Sequence, residues 1–151
     1  MQRNVLGVFG LSMCLGMFGA AFSTQVAGAV LENVHTIELF VSAKTKVVEL
    51  EQNQYPKIKQ VIYVVDGLDV IEYQLNQKLK NVNNEIDAQK LMQPYFANQD
   101  FVTSLQKAHL AKVRAKHFKL KRLPAAVING EQIHYGMTDL NVLMQSIEDN
   151  Q

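Results

Sequence analysis

Apolar and polar residues alternate at the start of the folded part of the chain. Over residues 36–42 the alternation has the two-residue period of a β-strand. Residues 44–54 then have apolar positions in a helical setting, and this stretch ends before Pro56, because proline disfavours a helical residue in front of it. Residues 61–65 form a continuous apolar run, typical of a parallel strand covered on both faces. The pattern predicts a right-handed βαβ unit.

Helical spacing returns after the second strand. Asp66 is positioned to cap a helix whose apolar residues recur every three or four positions. Residues 86–119 continue the helical pattern, with a bend or division expected at Pro94 and at residues 98–100. The apolar positions of the first of these helices are Leu68, Ile71, Leu75, Leu79 and Val82.

The last part of the chain predicts a hairpin and a final helix. Asn129 and Gly130 separate two strand-like runs, and an Asn-Gly pair suits a turn in which both residues need positive φ. Thr138 is expected to cap the last helix. The element order is therefore strand, helix, strand, two or three helices, hairpin and helix, which is that of an α/β thioredoxin-like fold. The predicted apolar stripe of the last helix comprises Leu140, Leu143, Met144 and Ile147.

The first 29 residues differ from the rest of the chain. Arg3 is their single charge, residues 5–22 are apolar, and Ala29 ends a run of small residues of the kind that a signal peptidase reads. We expect a signal peptide (residues 1–29) cleaved after Ala29, followed by one periplasmic domain (residues 30–151). One alternative is an uncleaved membrane-spanning leader. Another is lipidation at Cys14, although Met13 stands where Gly or Ala is expected.

The composition bears on two further properties of the chain, its capacity for thiol chemistry and its net charge. The 151 residues include 15 basic and 14 acidic side chains, 48% hydrophobic residues and one cysteine, which excludes an intramolecular disulfide or a multi-cysteine zinc site. Because Cys14 lies in the leader, the expected mature chain has no thiol for disulfide exchange. Loss of Arg3 balances its charges at 14 against 14, which gives no global attraction to a polyanion.

Two segments resemble parts of the thioredoxin-like family. Leu123 and Pro124, followed by an apolar strand and a turn, resemble the element in which that family has a cis proline beside its active site; a trans proline that starts a strand is the alternative. Where the family places Cys-x-x-Cys, residues 42–46 contain no cysteine, so redox activity is not implied. We expect no enzyme, and a peptide-binding groove formed by Ser42, Lys44, Thr45, Lys46, Leu123 and Pro124.

Three segments give a closer resemblance. Residues 62–69 (IYVVDGLD), 123–130 (LPAAVING) and 135–139 (YGMTD) resemble an uncharacterised family of integrating conjugative element proteins, secreted relatives of thioredoxin. The resemblance implies a periplasmic protein of conjugative DNA transfer through a type IV secretion-like apparatus, with other transfer proteins as partners. It implies no catalytic residue. The alternative is a thiol-independent enzyme or a chaperone-like protein.

A basic segment lies between Asp100 and Glu131, where no acidic residue occurs. Its charges are spread around a predicted helix, which favours a solvated helix end, with a protein-binding surface as the second interpretation. The expected compartment and the lack of interleaved aromatic residues argue against direct nucleic-acid binding. The segment comprises Lys107, Lys112, Arg114, Lys116, Lys119, Lys121 and Arg122.

Other candidate chemistry is sparse. His109 and His117 stand eight positions apart, which is not the i, i+4 spacing of a zinc-binding helix. Ser42 or Ser104 as a nucleophile would need a base and an oxyanion site, and the sequence places neither. No phosphate-binding glycine loop occurs after the leader. We therefore expect no metal and no cofactor.

Overall fold

The computed structural model describes residues 33–150, in which a four-stranded sheet carries helices on both faces. The predicted leader lies outside the described residues. The strands are β1 (Thr36–Val41), β2 (Lys59–Val64), β3 (Ala125–Ile128) and β4 (Gln132–Tyr135), and the helices are α1 (Gly67–Leu79), α2 (Glu85–Ala97), α3 (Gln99–His117) and α4 (Leu140–Asp149).

The strand order is β2-β1-β3-β4. β1 pairs parallel with β2 and antiparallel with β3, and β3 pairs antiparallel with β4. At the centre, Phe40 stands between Tyr63 on one side and Ala125 on the other. This mixed α/β sheet confirms the predicted fold class, and its order is compatible with a thioredoxin-like fold.

β1 is buried on both faces. Ile37, Leu39 and Val41 belong to a core that the apolar stripe of α4 covers, and that stripe is confirmed by the burial of all four of its members. On the other face Phe40 stacks on Tyr63 with ring centroids 5.0 Å apart. The sheet therefore separates two apolar layers, and β1 contributes side chains to both.

α3 lies on the second face through three small residues. Ala108, Ala111 and Ala115 are its buried positions, and they allow the helix axis to approach the sheet closely. Phe118, just beyond the helix, meets Phe40 edge-on with ring centroids 5.8 Å apart. α1 and α2 contribute no buried residue, so these helices are held by partial contacts along α3.

The helix predicted over residues 44–54 is wrong. Turns and one isolated bridge, between Val48 and Asp139, occupy this stretch. The Leu50 amide donates to the Gln60 side chain at 2.8 Å, which ties the loop to β2. Partners far along the chain thus satisfy backbone groups that a helix would have paired internally, and the crossover from β1 to β2 is a loop.

Two predicted caps are also corrected. Asp139, not Thr138, caps α4, because its carboxylate accepts from the amides of Asn141 at 2.9 Å and Val142 at 3.2 Å. Asp66 does occupy the N-cap position of α1, but its side chain makes no capping hydrogen bond. Position before a helix therefore does not by itself identify the residue that caps it.

The long helical stretch divides at Asn98, as predicted. Its side chain accepts from the amides of Asp100 and Phe101 and so begins α3. Pro94, the other expected break, lies inside α2 without dividing it. The apolar second strand was predicted to be covered on both faces. Ile62 and Tyr63 do pack against the cores on opposite faces, but β2 is an edge strand and its Val64 is 37% exposed.

Tyr55 connects the crossover loop to α4. Its environment predicts that the folded chain loses stability at alkaline pH. Burial of the ring, together with the nearby Glu148 carboxylate, raises the pKa of Tyr55. Its contribution to stability is therefore fully present below about pH 10, the unfolded value, and is lost as pH rises through the higher folded value.

The Tyr55→Phe variant should lose less stability than the unmodified chain between about pH 8 and about pH 11, measured by urea unfolding. Tyr73→Phe, at a site that is 65% exposed, is the matched control and should leave the pH profile unchanged. Identical alkaline losses in the unmodified chain and Tyr55→Phe would contradict this account.

Candidate functional site

The two predicted binding segments lie at the same end of the sheet. β1 and β3 are antiparallel, and their last pair is Phe40 opposite Ala125. Extending that register places Ser42, one residue beyond the end of β1, opposite Leu123, two residues before the start of β3. The structure therefore places residues 42–46 and Leu123–Pro124 at the same end of the sheet. Their role in binding stays a prediction.

The strand ladder stops at this point. The Ser42 carbonyl accepts from the Thr45 amide at 3.0 Å, and the two hydroxyls are 2.9 Å apart, so residues 42–46 form a turn. The Pro124 carbonyl accepts from the Gly136 amide at 3.0 Å. Within residues 33–150 the amide and carbonyl of Leu123 make no hydrogen bond, and Leu123 is 37% exposed.

The Leu123–Pro124 peptide bond is cis. This is the isomer that the resemblance to thioredoxin-like domains implies, and the trans alternative is excluded. On the far side of Pro124, Gly136 has a φ of 88°, a left-handed conformation that glycine adopts without a steric penalty. Gly136 thus turns its amide towards Pro124, while Leu123 stays outside the sheet.

Asp66 anchors the 42–46 turn. Its carboxylate accepts from the Ala43 amide at 2.6 Å, which links the end of β1 to the start of α1. Lys44 and Lys46 are exposed on this turn, whereas Thr45 is half-buried. The sequence does not reveal this role of Asp66, because an acidic residue directly after a strand and before a helix fits a helix cap equally well.

The chemistry of this end of the sheet is that of hydroxyls, lysines and main-chain groups. In the described part of the chain, Ser42 Oγ has the Thr45 hydroxyl as its side-chain partner, with no histidine or carboxylate bonded to it. The Ser104 hydroxyl donates to the Asp100 carbonyl at 2.8 Å in its own helix. Residues 33–150 contain no cluster of three metal-binding side chains. The groups at this end of the sheet can therefore act as hydrogen-bond donors and acceptors for a bound molecule.

Two members of the basic segment are paired with carboxylates. Lys112 Nζ lies 2.8 Å from Asp69 on α1. Arg114 donates two hydrogen bonds to the Glu38 carboxylate, one from Nε at 3.0 Å and one from Nη2. The interpretation of the segment as one solvated helix end is therefore corrected, because Lys112 joins α3 to α1 and Arg114 joins α3 to β1.

Glu38 is a nearly buried charge in the middle of β1, 8% exposed. The hydrogen bond from the guanidinium to this carboxylate raises the pKa of Arg114. The guanidinium also lies 4.9 Å from the centre of the Phe118 ring. The pair is not predictable from local sequence, because its partners are 76 residues apart; the one signal is that Glu38 is the single charge in β1.

The other cations of the segment separate into three places. Lys121 and Arg122 precede Leu123, and the Arg122 guanidinium lies 5.2 Å from the centre of the Tyr135 ring. Lys116 and Lys119 are exposed at the end of α3, where cations are favourable to the helix dipole. The third place, along β2, belongs to Lys107.

The Arg114→Ala substitution tests the pair. It leaves Glu38 without its partner, and we expect a loss of about 2 kcal/mol in the free energy of unfolding, reduced from the full cost of a buried pair by the part-exposed guanidinium. Lys116→Ala, on the exposed side of the same helix, is the control and should lower the urea midpoint much less, because it removes only the small contribution of one exposed cation to the helix dipole. Equal midpoints for Arg114→Ala and Lys116→Ala would show that Glu38 does not depend on Arg114.

Comparison with known proteins places the chain in a family. None of the helices within residues 33–150 is both long and apolar enough to cross a membrane. No curated protein and no solved structure matches the sequence. A family described as a protein of unknown function, DUF1525, matches residues 30–151. Since this match covers most of the sequence, the chain belongs to the DUF1525 family.

Proposed function

We propose that this protein is a periplasmic, non-catalytic binding component that helps to assemble the conjugative, type IV secretion-like DNA transfer apparatus of an integrating conjugative element. Its partners are other transfer proteins, and it contacts the membrane solely through the leader where that leader stays uncleaved. Direct contact with nucleic acid is not part of the proposal.

The observation that carries the binding role is the unpaired main chain of Leu123. Its amide and carbonyl stand where β1 and β3 would have formed their next pair, and the described residues leave both groups without a partner. An extended segment of a partner fits this position, because main-chain hydrogen bonds supply affinity and an adjacent exposed side chain supplies contact. The partner segment would thus continue the sheet beyond Ala125.

Charge favours an acidic partner segment. Lys44 and Lys46 lie exposed on the turn at the end of β1, and Lys121 and Arg122 immediately precede Leu123. Ion pairs at an exposed rim contribute mainly to the association rate and to the choice of partner, and they weaken with salt. The affinity itself comes from the pairing at Leu123.

Support for the conjugative role comes from the sequence. Residues 62–69, 123–130 and 135–139 resemble the integrating conjugative element family, and the leader pattern favours export. The family match spans the range of the predicted mature chain. A thiol-independent enzyme or chaperone-like protein is the competing function, and the open Leu123 main chain favours binding over catalysis.

The Leu123→Asp variant tests the proposal in bacterial cells that express the whole transfer cluster. The added charge opposes binding of an acidic segment, so capture of transfer proteins by the tagged full chain should fall by about ten-fold or more. Leu91→Asp is the matched control: Leu91 on α2 is also 37% exposed and should retain full capture.

Deletion and complementation complete the test. A strain without the protein should lose conjugative transfer, Leu91→Asp should restore it, and Leu123→Asp should restore it poorly. Wild-type transfer in the deletion strain would overturn the conjugative role. Equal capture by both variants, with circular dichroism showing both folded, would overturn the binding site.

A further inference from the structure

The outer edge of β2 has main-chain groups that no other described residue pairs. Within residues 33–150, β2 pairs with β1 alone. The amides of Lys59 and Val65 donate to β1 or its flank at 2.9 Å, so alternate residues from 59 to 65 face inward. Because backbone groups alternate along a strand, the amides and carbonyls of Gln60, Ile62 and Val64 point away from β1.

A groove runs along this free edge. It has a volume of about 640 Å³ and is lined by β2 from Gln60 to Val64 together with residues of α1 and α3, among them Gly67 and Ala108. At the end of the groove the helices lie close, since a Cβ on Gly67 would be 3.4 Å from the Ala108 Cβ. No described element covers the edge, and an uncovered edge strand is a template for another strand.

We propose that two copies of this chain pair antiparallel through their β2 edges, so that two four-stranded sheets form one continuous sheet. The inference is independent of the proposed binding at Leu123 and concerns the opposite side of β1. In the register that uses every free group, Ile62 faces Ile62 of the second copy, and Gln60 faces its Val64. This pairing forms about six main-chain hydrogen bonds across a two-fold axis.

The side chains of β2 suit this register. Val61 comes to lie opposite Tyr63 of the second copy, a β-branched and aromatic pair of the kind that stabilises antiparallel strands. Ile62 meets its own copy, and Lys59 faces the apolar Val65. No two like charges oppose each other along the paired strands.

The charges before and after β2 favour antiparallel pairing. They also favour a second copy of this chain as the partner. Lys57 and Lys59 are exposed at the beginning of the strand, while Asp66, which has no ion-pair partner among residues 33–150, follows its end; the Asp69 carboxylate beyond it is already paired with Lys112. Antiparallel pairing brings the basic beginning of each strand to the acidic end of the other, and parallel pairing would bring like charges together. The edge is therefore complementary to itself, which a foreign strand need not be.

Single cysteines test both the pairing and its register. In a Cys14→Ser background, the introduced cysteine is the only one in the full chain. In the proposed register the two copies of Ile62→Cys have Cα atoms about 5.5 Å apart, within disulfide range, whereas those of Val64→Cys are about 14 Å apart. Mild oxidation in bacterial cells should cross-link Ile62→Cys at least about ten-fold faster than Val64→Cys.

Sedimentation of the purified full chain gives a second measurement that needs no cysteine. The unmodified chain should form dimers as its concentration rises, and Val64→Lys should shift it towards monomer, because the lysine would stand at the edge that pairs. Val142→Lys is the matched control on α4, where Val142 is 47% exposed and far along the chain from β2. It should dimerise like the unmodified chain.

Three results would overturn the proposal. One is equal cross-linking at residues 62 and 64, which would mean random collision. Another is an unmodified chain that stays monomeric at its highest soluble concentration. This result would overturn the proposal even if the β2 edge bound a foreign peptide. The third is a dimer that Val64→Lys and Val142→Lys weaken equally while both remain folded.

Discussion

The burial of β1 between two layers is the constraint on which the rest of the structure depends. It pairs with neighbouring strands on both edges and contributes side chains to both cores, so each layer must fit against it. Its one charge, Glu38, is compatible with this position because Arg114 reaches it from α3. That pair fixes α3 on the sheet, and α1 and α2 are held in turn along α3.

The candidate binding site follows from where β1 stops. Thioredoxin-like redox sites need a thiolate at a helix N-terminus. This chain has Ser42 and a turn at that position, and a loop in place of the helix that would follow. The proline element is retained, with a cis bond before Pro124. The turn at residues 42–46 draws the Ser42 carbonyl away from β3, and no group within residues 33–150 bonds to the amide or carbonyl of Leu123.

The sequence predicted the elements whose signals are local. The alternation in β1, the Asn129–Gly130 turn, in which both residues have positive φ, and the apolar stripe of α4 are all properties of neighbouring residues. The failed helix and the missed ion pair involve partners outside the local sequence. The predicted helix at residues 44–54 is replaced by contacts with Asp139 and Gln60, and the pairing of Arg114 with Glu38 spans 76 residues. The two segments of the candidate site could be chosen from the sequence. The free main chain of Leu123 could not be predicted, because it depends on the register of the strands.

Amide hydrogen exchange at Leu123 is the most direct measurement of the central claim, which is that this residue is open for pairing with a partner. In the free chain its amide should exchange rapidly, whereas the amide of Ala125, within β3, should be protected. Binding of a captured transfer protein should slow exchange at Leu123. Protection of Leu123 in the free chain, or unchanged rapid exchange in the complex, would contradict the account.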